Sequence, residues 1–436
     1  MFSQKIVSGI NGMINIPGDK SISHRSIIIP SISKGICEIS NILKSDDVMR
    51  TIESFKEMGV RIEDVKSKII IHGQGLNSLK QPSNNLYLGN SGTSARLLTG
   101  LLASQNFESK LTGDDSLSSR PMKRITDPLS KMGAKIYTNN GKMPLKIIGN
   151  ELNSTNLEIK IPSAQIKSGL ILAALNTNGQ TTITEKNITR NHTEIMLESF
   201  EANIKIKKFG SESEIKINGK QELKPKNIDV PSDLSSSAFF IIAALINKDS
   251  DITLKNININ PTRNGLLIAL KKMGAKLKLY NERNIAGETV SDIDVKSSIL
   301  NGCELDEELT KLMIDEFPIL SIAASQANSP SYFKGLSELR VKESDRLELI
   351  DLNLKRCGCY SEVKNDNLLI NPKMNTNIKI PEIKTDFDHR IAMSFAVLGS
   401  KIGNLFIEDS DSINTSFPTF QNIFNKAGGN LNWRRF

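Results

Sequence analysis

Two kinds of helix alternate along the chain, and each recurs six times. The first kind is apolar and rich in small residues behind a polar first turn: SISHRSIIIPSIS from Ser21, SGTSARLLTGLLA from Ser91, SAQIKSGLILAAL from Ser163, SSSAFFIIAALI from Ser235, DEFPILSIAAS from Asp315 and DHRIAMSFAVLGS from Asp388. Polar stops such as SKG, SQN, TNG and NKD follow these runs. The second kind ends in a glycine before an alternating stretch, as in FKEMGVRI at 55–62, LSKMGAKI at 129–136 and LKKMGAKL at 270–277. Weaker copies are SFEANIKI at 199–206, LKRCGCYS at 354–361 and FNKAGGNL at 424–431. Glycine just past a helix end supplies a left-handed residue, and the alternation after it predicts a strand. Glu201 breaks that rule in the third copy.

The six stop positions, Gly59, Gly133, Glu201, Gly274, Gly358 and Gly428, are 68 to 84 residues apart. Six helix-strand-helix-strand units predict an α/β or α+β architecture, most economically two domains of three units. A linear solenoid is disfavoured, because its units run to roughly 20–50 residues. A length of 436 residues agrees with two domains, since one core stops growing at roughly 250–300 residues.

Composition narrows the function classes. The net charge of +8 favours anionic partners. Nucleic acid is disfavoured, because aromatic residues are only 5% of the chain and the lysines are scattered. The first twenty residues lack a basic segment followed by an apolar run, and no window approaches about 18 uncharged apolar residues, so neither export nor a membrane span is expected. Cys37, Cys303, Cys357 and Cys359 show no paired spacing and histidines number four, which argues against structural zinc and for free thiols in a reducing cytoplasm.

The helix openings are the candidate sites, because a first turn carries unpaired N–H groups and partial positive charge. For any one opening, Ser or Asp acting as an ordinary cap is the competing explanation. Lys20, Ser21 and Arg25 surround the first opening in PGDKSISHR, which lacks Walker A spacing. Gly89 and Gly92 in LGNSGTSAR allow close backbone approach to a ligand. Arg120 precedes a proline expected to start a helix, and Ser163, Ala164 and Gln165 open the next apolar run. Arg190, His192 and Glu194 suit either a ligand or a surface ion cluster. Further on stand Asp315, then Lys342, Glu343 and Arg346 in ELRVKESDR, read as a charged helix with Lys342 and Arg346 on one face, then Arg390 beside His389.

Taken in order, PGDKSISHR, LGNSGTSAR, SLSSRPM, SAQIKS, LRVKESDR and DHRIAMS closely resemble the EPSP synthase family over nearly the whole chain. The resemblance implies two inside-out α/β domains, each of three βαβαββ repeats, with an interdomain cleft that closes on substrate. It places one domain at 17–232 and a discontinuous one at 1–16 plus 233–436, with hinges near 15–20 and 229–235. The implied activity transfers the enolpyruvyl group of phosphoenolpyruvate to the 5-hydroxyl of shikimate 3-phosphate, with no cofactor and no metal, in a cytoplasmic monomer. By the same resemblance Lys20, Ser21, Arg25, Ser163, Ala164, Gln165, Arg190, Asp315 and Lys342 hold shikimate 3-phosphate. Lys20, Gly92, Arg120, Gln165, Arg346 and Arg390 hold phosphoenolpyruvate, and Lys20, Asp315 and Glu343 are catalytic.

Three positions depart from the family pattern: Thr415 for a lysine, Glu338 for an asparagine and Ala164 for a serine. With Arg190-x-His192-x-Glu194 they resemble a divergent second class of the family. The related UDP-N-acetylglucosamine enolpyruvyl transferases are the nearest alternative, disfavoured because their loop cysteine has no counterpart between Gly113 and Arg120.

Overall fold

The computed structural model describes residues 1–374 and 381–433. Two compact units divide the chain: one comprises residues 1–19, 232–284 and 289–436, the other residues 20–231 and 285–288. The chain therefore passes between units at four peptide links.

Among the described residues each unit carries three four-stranded sheets, and these six share one order. In the repeat at 156–218, Asn156–Ile159 pairs in parallel with Gln180–Glu185, which pairs antiparallel with Glu212–Asn218, which pairs antiparallel with Ile204–Phe209. The sequence units are thus βαβαββ repeats whose fourth strand inserts between the second and third. Three repeats are completed from a distance. Asn11–Ile14 supplies the parallel edge beside Asp251–Asn258, and Ile228–Asp229 does so beside Lys34–Ser40. Phe2–Ser3 lies between Leu405–Ile407 and Leu431–Asn432 to close the last sheet.

The apolar helices take the centre of each unit. All of Leu234–Ile246 and all of Phe317–Ser325 are buried. A helix apolar on every side can only be satisfied by neighbours all round. In one unit these two pack against each other and against His389–Ile402; in the other, Gly92–Ala103 packs on Lys20–Ser31 and Ala164–Ala174. The sheets lie outside, and their strands alternate accordingly: Met143, Leu145 and Ile147 are buried while Lys142, Pro144 and Lys146 are exposed. No helix among the described residues is long and apolar enough to cross a membrane.

The glycine stops behave as the pattern predicts. Gly59, Gly133, Gly274, Gly358 and Gly428 all have positive φ, and Glu201 adopts the same conformation at φ 58° despite its side chain. Two further glycines set a helix distance. A Cβ on Gly100 would collide with the carbonyl oxygen of Gly169, and one on Gly169 would lie 2.6 Å from the carbonyl oxygen of Arg96. Backbone cannot yield as a side chain does, so Gly100→Ala should destabilise the protein by about 1–3 kcal/mol or more through forced separation of the two helices. A urea midpoint equal to the parent's would show that this contact is not tight.

Candidate active site

In the second unit, three apolar helices bring their N-termini to one end. Ser91 and Ser163 cap two of them, each accepting from an N–H three residues on. Side chains tie the openings together: Gln165 donates to Thr93 Oγ1 at 3.0 Å and accepts from Arg96 at 2.8 Å. Arg25, only 3% exposed, donates to Ser21 O at 2.8 Å, Ser168 Oγ at 2.7 Å and Thr193 Oγ1 at 2.6 Å. Lys20 Nζ pairs with Asp47 Oδ2 at 2.9 Å. Arg120 donates to Asn90 and to Ser116, and its guanidinium lies 3.0 Å from where a Cβ on Gly92 would stand. Lys20, Ser21, Arg25, Gly92, Arg120, Ser163, Ala164 and Gln165 thus gather on these helix openings and their flanking loops. Arg190, half-buried, sits one residue before the cap of the His192–Ser199 helix.

A buried ion group supports this end. Lys167, wholly inaccessible, contacts Glu185 at 2.8 Å and Glu194 at 2.7 Å and donates to Thr189 O at 3.1 Å. His192 Nδ1 meets Glu288 Oε1 at 2.6 Å. The surface-cluster alternative for His192 and Glu194 is therefore wrong, since they are 1% and 2% exposed. Their side chains face Glu288 and Lys167, partners too distant in sequence for spacing to reveal.

The first unit repeats the theme with the opposite balance of charge. Asp233 caps Leu234–Ile246, Asp388 caps His389–Ile402, and a short 3-10 turn at Ile314–Glu316 leads into Phe317–Ser325. Arg346 lies at the centre and is fully buried. It donates to Asp388 at 2.8 Å, Glu343 at 2.6 Å and Asp315 at 3.3 Å. Lys342 Nζ stands 3.6 Å from Asp315 Oδ1, and Arg390 donates to the Asp315 carbonyl at 3.0 Å. Desolvation is the largest influence on Asp388 and opposes its charge, but the Arg346 charge and hydrogen bond, together with neighbouring His389, hold the carboxyl below its usual range. Asp315 and Glu343 keep side-chain exposures of 17% and 22%, so two carboxylates on one guanidinium remain accessible.

The reading of ELRVKESDR as a helix carrying Lys342 and Arg346 on one face fails. Ser337–Val341 is a 3-10 turn, Lys342 to Asp345 are not helical, and the helix begins at Arg346 under an Asp345 cap that accepts from Glu348 N–H. Three carboxylates from different segments converge on Arg346, and a continuous surface helix would not bury it among them. Arg120 differs too: it ends the short Asp115–Ser119 helix, and the next helix starts at Lys123. Thr415 meets His389 Nδ1 at 3.2 Å, beside the Asp388 cap. Among the residues missed are Asp47, Arg96 and Lys167, while Asp388, read as a helix opening, is the cap of His389–Ile402 and a partner of Arg346. Lys167 and Arg96 carried a signal, each a charge inside an otherwise apolar run.

A family model described as EPSP synthase (3-phosphoshikimate 1-carboxyvinyltransferase) matches residues 4–424. A protein named 3-phosphoshikimate 1-carboxyvinyltransferase from Ruthia magnifica subsp. Calyptogena magnifica is 46% identical, covering 99% of this chain and 98% of that protein. One of the same name from Legionella pneumophila (strain Lens) is 43% identical, covering 96% of each. Among solved structures, EPSP synthase from Acinetobacter baumannii superposes with a TM-score of 0.86 at 42% identity over 98% of both chains. The enolpyruvyl transferase NikO from Streptomyces tendae shares the fold, with a TM-score of 0.77 at 14% identity, covering 98% of this chain and 97% of that one.

Removing the Lys167 charge tests the support beneath this end. Lys167→Met strands two buried carboxylates and should cost about 3–5 kcal/mol. The triple change with Glu185→Gln and Glu194→Gln should recover much of that loss. Urea denaturation of both variants checks this; equal stability of Lys167→Met and parent would mean the carboxylates are not charged.

Proposed function

We propose that the two half-sites share one reaction, because this chain belongs to the EPSP synthase (3-phosphoshikimate 1-carboxyvinyltransferase) family. It is a transferase that moves the enolpyruvyl group of phosphoenolpyruvate to the 5-hydroxyl of shikimate 3-phosphate in aromatic biosynthesis. The observation that supports our residue assignment is that one unit carries a cation-rich helix-opening end, with Lys20, Arg25 and Arg120, and the other an end where Asp315 and Glu343 share Arg346.

Shikimate 3-phosphate occupies Lys20, Ser21, Arg25, Ser163, Ala164, Gln165 and Arg190 with Asp315 and Lys342. The phosphate needs donors with little freedom, and Arg25 is held on three sides. Phosphoenolpyruvate takes Lys20, Gly92, Arg120, Gln165, Arg346 and Arg390, whose cations offset its phosphate and carboxylate. The sugar 5-oxygen forms a bond to C2 while its proton passes to Asp315, and Glu343 gives a proton to C3. Loss of a C3 proton and departure of phosphate then restore the double bond. Arg346 holds both carboxylates, Glu343 at 2.6 Å and Asp315 at 3.3 Å, and the two opposed proton transfers are divided between them. We place the enzyme in the cytoplasm as a monomer. Because the substrates draw on residues of both units, binding should lower the radius of gyration in small-angle scattering.

Phosphate release from phosphoenolpyruvate that depends on shikimate 3-phosphate, and not on UDP-N-acetylglucosamine, tests the activity. Glu343→Gln preserves the shape but cannot shuttle the proton, so kcat should fall about 10²- to 10⁴-fold with little change in KM. Unchanged kcat with raised KM would reassign Glu343 to binding.

Gly92→Ala tests the donor site. The new methyl would lie 2.6 Å from an Arg96 nitrogen and 3.0 Å from an Arg120 nitrogen, both ends of flexible side chains, so the fold should survive while the guanidinium groups shift. By its resemblance to the family the phosphoenolpyruvate site beside Gly92 also takes the inhibitor glyphosate, which is longer than phosphoenolpyruvate and should lose about 10-fold or more in affinity, with a smaller rise in the phosphoenolpyruvate KM. Equal shifts in competitive titrations would remove Gly92 as the steric gate.

A further inference from the structure

Outside both half-sites lies one more buried cation, Arg263, 2% exposed. It pairs with Asp19 and, at 3.0 Å, with Asp233, and donates to Ser235 Oγ at 2.7 Å. These partners are not arbitrary. Asp19 is the last residue of the first unit before the chain passes to Lys20, and Asp233 follows the return of the chain at Ser232. The two strands are also fixed by backbone: Asp233 N–H donates to Pro17 O, Ser232 N–H to Asn256 O, and Asn258 N–H to Ser232 O, all within 3.0 Å. On its other side the group continues inward. Ser235 donates to Glu316, whose carboxylate lies 3.9 Å from Arg390, and Arg390 in turn holds the Asp315 carbonyl at 3.0 Å.

We propose that Arg263 is a positioning residue for the transfer reaction, setting from one guanidinium both the chain that delivers Lys20 and the ledge that carries Asp315 and Arg390. This rests on the enolpyruvyl-transfer reading and adds a residue outside the substrate contacts assigned above. The chemistry suits arginine. Asp19 and Asp233 repel each other in a buried setting, and only a planar fork with several fixed donors serves two carboxylates and a hydroxyl together. A lysine would keep the charge but present a point donor on a flexible stem. Asp233 reflects the crowding: desolvation, then the neighbouring Asp19, push its carboxyl above the usual range against the pull of Arg263. Losing the fork should therefore let Lys20 and Asp315, which serve the chemical step, drift while the other substrate-binding groups, Ser21, Arg25, Arg120, Gln165 and Arg190 among them, stay in place. Displacements of about 1 Å cost on the order of 100-fold in rate.

The experiment compares Arg263→Lys and Ser235→Ala with the parent enzyme, whose own phosphate release is measured first. An inactive parent would fault the enolpyruvyl-transfer reading; an active parent leaves the two variants to judge Arg263 alone. In Arg263→Lys, kcat should fall about 10- to 100-fold, with both KM values within about 3-fold of the parent's. The decrease in radius of gyration on adding shikimate 3-phosphate should also be smaller. A folded Arg263→Lys enzyme with parental kcat overturns the proposal, whatever its melting temperature, because a purely structural residue affects stability alone. Should Arg263→Lys fail to fold, Ser235→Ala decides. It cuts the link toward Glu316 while leaving both carboxylates paired, so a lowered kcat at parental melting temperature supports the proposal and a parental kcat overturns it.

Discussion

Helices with no polar face impose the constraint on which the rest of this protein depends. Such helices must be surrounded, so they occupy the centre of each unit and the sheets are displaced to the outside. Charged chemistry is then kept toward the ends of these helices, while their bodies admit only small hydroxyls such as Thr99, Ser321 and Ser394. The N-terminal ends carry unpaired N–H groups and partial positive charge, which must be met by caps or by a ligand. Ser91, Ser163, Asp233 and Asp388 supply the caps, and the chemistry-bearing side chains stand beside them. The placing of the candidate site is in this sense a consequence of how the core packs.

The same device recurs behind each end: a buried cation held by two or three carboxylates. Lys167 takes Glu185 and Glu194, Arg263 takes Asp19 and Asp233, and Arg346 takes Asp315, Glu343 and Asp388. Removing these charges from water is costly, and their mutual attraction does little more than offset that cost. Their value lies in registry, since each cation draws together segments far apart in sequence. Arg346 joins the ends of three elements, so the position of the two accessible carboxylates follows from its own.

Much of this was legible from the residues. The six glycine-type stops gave the period, and even the exception proved conformational: Glu201 takes the left-handed geometry that glycine takes elsewhere. The polar openings gave the site candidates because cap residues and anion-binding residues share one local chemistry. Lys342 to Asp345 misled, since charges at helical spacing look alike whether solvated on a helix or drawn inward by Arg346. Arg263 gave no signal, because its meaning depends on Asp19, 244 positions earlier.

By itself the sequence determined the period, the two recurring kinds of helix and the family, since these rest on local patterns: apolar runs, caps, stops and contiguous motifs. Only the tertiary structure decided which strand completes which sheet, as when Phe2–Ser3 closes the repeat at the far end of the chain. It also decided which openings meet and which charges are buried. Those outcomes depend on packing between distant segments, and packing distance is a property that no local pattern of residues encodes.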